Sequence, residues 1–284
     1  MADLLVTLPG PSSDEERAHE VLLYYGPISG PATSQDADAV FSLEGETGFS
    51  ISSGDLNHDG IDDAIIGAPT AITDSCEYGG AVYVFFGPLQ GTYTRDQADA
   101  RLFSAVALDQ AGDAVSSGGD VNGDGIDGLL VGAPHHQSTC QTPYSQDEPG
   151  HAYLLFGPLE GERDLATADV VMSGEYDDDE AGRSVSIRGD LDGDGRDEVV
   201  IGAPSHDTYV NPNRGSVYVL YSSHEPRIDL NDSDAGIEGD SRVGASVAAA
   251  DTNGDGYDDL LTAGSLERNW SGSAFMFFGG PRAP

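Results

Sequence analysis

Oxygen donors at alternate positions of a tight turn are the clearest chemistry in this sequence. The stretch DLNHDGIDD, Asp55 to Asp63, holds four carboxylates and an asparagine within nine positions. Packing that much like charge into one turn is unfavourable, because each carboxylate makes its neighbour's ionisation harder. Positions 1, 3, 5 and 9 are Asp55, Asn57, Asp59 and Asp63. Gly60 at position 6 permits the bend, and the carbonyl of Ile61 at position 7 can turn inward. Hard oxygens from carboxylates, an amide and a carbonyl suit Ca²⁺, which accepts six to eight ligands at flexible angles. A bound cation turns the mutual repulsion into attraction, and its binding energy becomes folding energy.

The pattern recurs three times. Its other ligand sets are Asp120, Asn122, Asp124 and the carbonyl of Ile126; Asp190, Asp192, Asp194, the carbonyl of Arg196 and Glu198; and Asp251, Asn253, Asp255, the carbonyl of Tyr257 and Asp259. The second loop has Gly128 at position 9 and is expected to bind most weakly, with Asp127 or water filling in. Three or four Ca²⁺ ions are therefore expected. An isolated Asp-Gly hairpin with solvated acids is the simpler reading of any one loop; four loops in one register favour the cation. An EF-hand needs Glu at position 12, where these loops have Ile66, Val131, Ile201 and Thr262, inside an apolar run.

The elements that must position these loops recur with them every 60–70 residues, which marks a repeat architecture. Each unit contains four strand-like runs. In the first whole unit they are GFSISSGD (48–55), DAIIGAP (63–69), GAVYVFFGP (80–88) and ARLFSA (100–105). The third run returns as EVLLYYGP, HAYLLFGP, SVYVLYSS and SAFMFFGGP, with large apolar residues that are expected to pack one sheet on the next. Tandem four-stranded antiparallel units are the blades of an all-β β-propeller. A nonapeptide Ca²⁺ solenoid would need a shorter period and a pattern that is absent. The expected single propeller region, 1–284, divides into a partial blade 3–44, blades 48–105, 112–173 and 182–238, and a partial blade 243–280. In this alignment Asp3 takes the place of Asp63. The chain reads as a segment of a larger ring. The alternative is a small closed ring in which the run near Ala39–Leu43 completes the blade begun at Val243.

The order G-F-S…D-x-N-x-D-G-x-x-D…G-A-P…G-x-V-Y-V, with Gly48-Phe49 and Gly67-Ala68-Pro69, resembles the FG-GAP repeats of integrin α-subunit propellers and of bacterial integrin-like surface proteins. Gly132-Ala133-Pro134 and Gly202-Ala203-Pro204 fit too, whereas Gly128 and Ala263-Gly264-Ser265 depart from the pattern. The resemblance implies a seven-bladed ring, Ca²⁺ on one face and partners on the opposite face.

Composition bounds the rest. With 50 acidic and 12 basic residues, all of them Arg, the formal charge is −38. Such a surface repels phosphate backbones and anionic membranes, which excludes nucleic acid as a partner class. Four Ca²⁺ ions would remove eight of those charges, so part of the acidity reads as solvation in a salty medium. No apolar run is long enough to span a bilayer, and MADLLVTLPGPSS lacks the features of a signal peptide. An extracellular or cell-surface setting would need an export signal outside this chain. Cys76 and Cys140 fall at similar places in successive units, either as free thiols or as an inter-repeat disulfide.

Loops joining second to third strands lie opposite the acidic loops, and their sequences are the most individual in the chain. Tyr78, His135, His136, Tyr144, His206, Tyr209 and Trp270 are the contact candidates there for a protein or glycan ligand. His135, His136 and His206 together would suit a transition metal. Arg188-Gly189-Asp190 spells an integrin-recognised tripeptide, but Asp190 is position 1 of a cation loop and should face the ion. Asn231-Asp-Ser and Asn269-Trp-Ser are glycosylation sequons. No nucleophile elbow, H-E-x-x-H or phosphate loop occurs. The reading is therefore a Ca²⁺-binding adhesion or ligand-binding module within a larger chain or assembly. The alternatives are an accessory or catalytic propeller of a secreted hydrolase or lyase, and a structural spacer.

Overall fold

The structure, a computed structural model, describes residues 3–8, 20–43, 50–72, 79–104, 106, 108–135, 149–206, 214–221, 225–239 and 242–282. β-Branched and aromatic runs broken by Gly, Pro and Asp make short strands, and these form five sheets. The first contains Leu4–Leu8, Glu20–Tyr24 and Ala39–Ser42. The second contains Ser50–Gly54, Asp63–Ala68, Ala81–Phe85 and Ala100–Phe103. The third contains Ala114–Ser117, Leu129–Ala133, His151–Leu155 and Val170–Ser173. The fourth contains Ser184–Ser186, Val199–Ala203, Ser216–Leu220 and Ala235–Glu238. The fifth contains Ser246–Ala250, Asp259–Ser265 and Gly272–Phe277. Within these sets every neighbouring pair is antiparallel, so the units are propeller blades of an all-β protein. Ala39–Ser42 pairs with Glu20–Tyr24, which overturns the small ring in which that strand would have completed the last sheet.

One further strand at each of the first three junctions escaped the sequence reading. Gly91–Thr94, Gly161–Asp164 and Arg227–Asp229 each pair in parallel with the fourth strand of the preceding sheet. Each runs into a single 3₁₀ turn whose N-terminal N–H groups are met by a Thr–Gln capping box or an Asp side chain. The parallel strands cover the outer edges and bond consecutive sheets together. The signal lay in a ten-residue repeat: GPATSQDADA, GTYTRDQADA, GERDLATADV and PRIDLNDSDA. Its penultimate residue is always Asp. Asp38, Asp99, Asp169 and Asp234 accept the backbone N–H of Tyr25, Phe86, Phe156 and Tyr221 at 2.7, 2.8, 3.0 and 2.9 Å. These four carboxylates hold the chain where the third strand ends, which gives part of the acidity a structural purpose.

The cores lie between sheets. Phe41, Phe85 and Tyr93 meet with ring centroids 4.9–5.7 Å apart at the first junction. Val84, Leu102, Leu129 and Tyr153 pack at the second, Leu130, Leu154, Val199 and Tyr218 at the third, and Val200, Val219 and Leu260 at the fourth. The third strands of the first four sheets are therefore core, as expected. On the fifth sheet, Phe275, Met276 and Phe277 keep 40–45% of their surface exposed.

Three glycine pairs set how closely the second to fifth sheets approach one another. A Cβ on Gly67, Gly132 or Gly202 would sit 2.1, 1.9 or 2.1 Å from the carbonyl oxygen of Gly112, Gly182 or Gly244 in the next sheet. Those partner glycines have φ near +90°, a region that L side chains rarely adopt. Among the described residues, no helix is long and apolar enough to cross a membrane.

Candidate metal centre in the acidic loops

All four loops share one frame. The position-1 carboxylate, Asp55, Asp120, Asp190 or Asp251, accepts the N–H of the position-6 glycine at 2.8–3.1 Å. The position-3 side-chain oxygen accepts the N–H of position 5 at 2.8–3.1 Å. The position-5 carboxylate accepts the N–H of position 7 at 2.9–3.0 Å. This stack of Asx turns curls the chain back on itself in each loop. The flanks are strands, as expected for loops that are not EF-hands. Position 4 is left-handed in every loop. It is glycine in three of them and His58, with φ 63°, in the first, a conformation costing about 1 kcal/mol for a residue with a Cβ.

Position 9 faces inward. Asp63 is buried and accepts the N–H groups of Leu56 and Gly87 at 3.0 and 3.1 Å. Asp259 does the same with Thr252 and Gly279, both at 3.1 Å, and also accepts the Thr252 hydroxyl. In the third loop the longer Glu198 reaches further. One of its oxygens accepts the Leu191 N–H, and the other, Oε1, is buried with no hydrogen-bond partner. Asp190, Asp192, Asp194 and Glu198 each present an oxygen, all within 4.8 Å of one another. Such a buried, unsatisfied acceptor beside three carboxylates could hold a divalent cation.

The electrostatics agree. Burial, opposed by two backbone hydrogen bonds and reinforced by Asp59 and Asp55, pushes Asp63 up to about 6. Burial, with Asp192, Asp190 and Asp194 adding to it against the Leu191 N–H, pushes Glu198 up to about 8. The sign follows directly. Without cation, folded Glu198 holds a proton that the unfolded chain releases near 4.5, so cation-free stability falls as pH rises from about 4.5 to 8. A cation must displace that proton. Calcium titrations of the third loop at pH 6 and pH 8 should therefore show at least tenfold tighter binding at pH 8, with proton release at pH 6.

Position 8 carries a function that the sequence reading missed. Asp127, Asp197 and Asp258 accept the backbone N–H of Asp55, Asp120 and Asp190, the first loop residue of the preceding sheet, at 2.8, 2.8 and 2.9 Å. Asp127 is thus engaged with the neighbouring loop, which corrects the idea that it substitutes for the carboxylate missing at Gly128. Arg196 and Tyr257 at position 7 lie over the position-4 glycines of the preceding loops, Gly123 and Gly193. The four loops form one row on one face.

Other candidates fall differently. Asp190 of the Arg-Gly-Asp tripeptide points into its loop. Arg188 donates to the carbonyls of Ser117, at 2.6 Å, and Ser53, at 2.5 Å, tying three sheets together. His206 is buried, with Nδ1 2.9 Å from Asp179 and 3.2 Å from the Tyr218 hydroxyl. Burial alone would lower its pKa, but the Asp179 bond and the charges of Asp179 and Glu175 raise it overall. It is a core residue and not an exposed contact, which removes it from the ligand-face and histidine-metal sets. His135 is exposed. Tyr78, His136, Tyr144, Tyr209, Trp270, Cys76 and Cys140 lie outside the described residues.

The family model described as "FG-GAP repeat" matches residues 47–85, 181–220 and 243–275. The chain carries three FG-GAP repeats and is similar to integrin α-subunits. The FG-GAP spans leave out residues 86–180, which include the loop with Gly128. The chain is 28% identical over 221 residues to integrin alpha-5 of Xenopus laevis, covering 75% of this chain and 19% of that protein. It is 29% identical over 249 residues to human integrin alpha-IIb, covering 85% and 22%. It is 33% identical over 137 residues to mouse integrin alpha-3, covering 47% and 13%. The FG-GAP chain thus spans about a fifth of the length of these relatives, or less. Its close glycine pairs use the glycines of the Gly-Ala-Pro signature, so that part of the FG-GAP pattern reports how near one sheet comes to the next.

Proposed function

We propose that this protein is a calcium-binding β-propeller acting as an extracellular or cell-surface adhesion or ligand-binding module. The observation that carries the proposal is the third loop, where three aspartates lie beside a buried, unsatisfied glutamate oxygen. Ca²⁺ is the cation of choice because the donors are all hard oxygens and the frame is built of backbone N–H groups around a flexible turn. The complete loops at Asp55, Asp190 and Asp251 each hold one ion through the ligands at positions 1, 3, 5, 7 and 9, and the loop at Asp120 holds one more weakly. The blades 3–44, 48–105, 112–173, 182–238 and 243–280 make up one ring segment. The ions stiffen the loop face, so that the loops on the opposite face present a fixed surface to a protein or glycan. Kinship with integrin α-subunits supports a protein ligand and a larger assembly.

Arrays of extracellular proteins and glycans, probed with this protein in millimolar Ca²⁺, test the reading. Binding that disappears in EDTA and in the Tyr209→Ala/Trp270→Ala double variant is the expected result. Binding that is indifferent to both would overturn it.

A further inference from the structure

We propose that the inner edge of the first sheet is a docking site for an extended peptide strand rich in small residues. The site is a groove of about 770 Å³, with Leu5, Leu23, Ile51, Ser52, Asp62 and Arg188 among its walls. Its place in the repeat says what it accepts. Asp3 accepts the Gly26 N–H at 2.8 Å, as Asp63 accepts that of Gly87 and Asp259 that of Gly279. Leu4–Leu8 is therefore the second strand of its sheet. In the other four sheets the second strand is paired on its inner side with a first strand: Ser50–Gly54, Ala114–Ser117, Ser184–Ser186 or Ser246–Ala250. Among the described residues, Leu4–Leu8 pairs only with Glu20–Tyr24. Its counterparts Asp63–Ala68, Leu129–Ala133 and Val199–Ala203 are buried at every residue, whereas Leu4 and Leu8 are 47% and 37% exposed.

The groove also presents the polar partners that a first strand meets elsewhere. Where first strands lie side by side, the backbone N–H of Ser117 reaches the Ser52 hydroxyl at 3.0 Å, and that of Ile187 reaches the Ser116 hydroxyl at 3.1 Å. A serine on the incoming strand would meet the backbone of Ser50–Gly54 in the same way. Asp127, Asp197 and Asp258 each accept the N–H at the end of the preceding first strand. Asp62 is the fourth acid of that series, lines the groove, and has no hydrogen-bond partner among the described residues. An unpaired sheet edge plus a waiting carboxylate is the geometry of strand addition, in which main-chain hydrogen bonds supply affinity.

The occupant is a strand without a cation loop. At two other junctions the loop's second residue offers its carbonyl to the next sheet: Leu56 to the Leu159 N–H at 3.0 Å, and Leu191 to the Gly280 N–H at 2.9 Å. Here the Tyr25 hydroxyl already accepts the corresponding N–H, that of Leu89, at 2.7 Å, and donates to the Leu89 carbonyl at 2.9 Å. The seat that an acidic loop would need is taken, while no strand among the described residues fills the slot beside Leu4–Leu8.

The test is a fluorescein-labelled nonapeptide with the sequence of residues 48–56, GFSISSGDL, titrated with the full chain and read by anisotropy. It is run in Ca²⁺ and in EDTA, so that the strand site is judged separately from the cation loops. Saturable binding below millimolar concentration is expected, with slowed amide exchange across Leu4–Leu8. Proline at the Ile51 and Ser53 positions of the peptide should weaken binding at least tenfold, because it removes ladder donors. Asp62→Ala in the protein should weaken it about tenfold, the loss of a hydrogen bond to a charged group. Absence of saturable binding, or equal binding by the proline peptide, would overturn the proposal.

Discussion

EDTA should lower the melting temperature of this protein by about 15 °C. Each cation held by the folded loop and not by the unfolded chain stabilises the fold by about 2.7 kcal/mol at a hundred times its dissociation constant. Three complete loops then contribute about 8 kcal/mol, and about 2 °C per kcal/mol is the response of a chain of this size. The effect should propagate beyond the loops. Asp127, Asp197 and Asp258 tie each loop to the next, so a loop that opens releases its neighbour's anchor. Scanning calorimetry with and without chelator checks both points. The transition should also broaden in EDTA as the sheets lose their common face, and a melt unchanged by EDTA would contradict structural calcium.

Gly132→Ala should cost at least about 3 kcal/mol. The new methyl would sit 1.9 Å from the Gly182 carbonyl oxygen and within 2.9 Å of its carbon. Backbone lies on both sides, so relief requires the third and fourth sheets to separate along an apolar junction. Gly236→Ala is the matched control. That glycine also lies in a strand, and nothing stands within 4 Å of its added Cβ. It should be neutral or slightly stabilising, because alanine restricts the unfolded chain. Urea denaturation of the two variants measures the difference, and comparable stabilities would contradict close glycine packing as the source of the signature.

What was legible in the sequence was local. The strand runs, the acidic loops and the aromatic third strands could be read because their signals lie within ten consecutive residues: alternation, Asp-Gly turns and terminal Pro. What was not legible depends on partners far along the chain. Asp127 and Asp63 look alike in sequence, yet one reaches a backbone N–H 72 residues away and the other turns into its own loop. His206 sits in a variable loop with the composition of a contact surface. Its burial follows from Asp179, 27 residues earlier. The parallel edge strands are three or four residues long and mostly polar. Only their recurrence before each fourth strand marked them, and the alternation rule passes over pieces so short.

Isothermal calorimetry of the chelator-stripped protein with Ca²⁺ bears most directly on the loops as cation sites. At pH 8 at least three sites should titrate, Asp190→Ala should abolish one of them, and Asp120→Ala should remove only the weakest or none. No binding heat up to millimolar Ca²⁺, or an unchanged isotherm for Asp190→Ala, would contradict it.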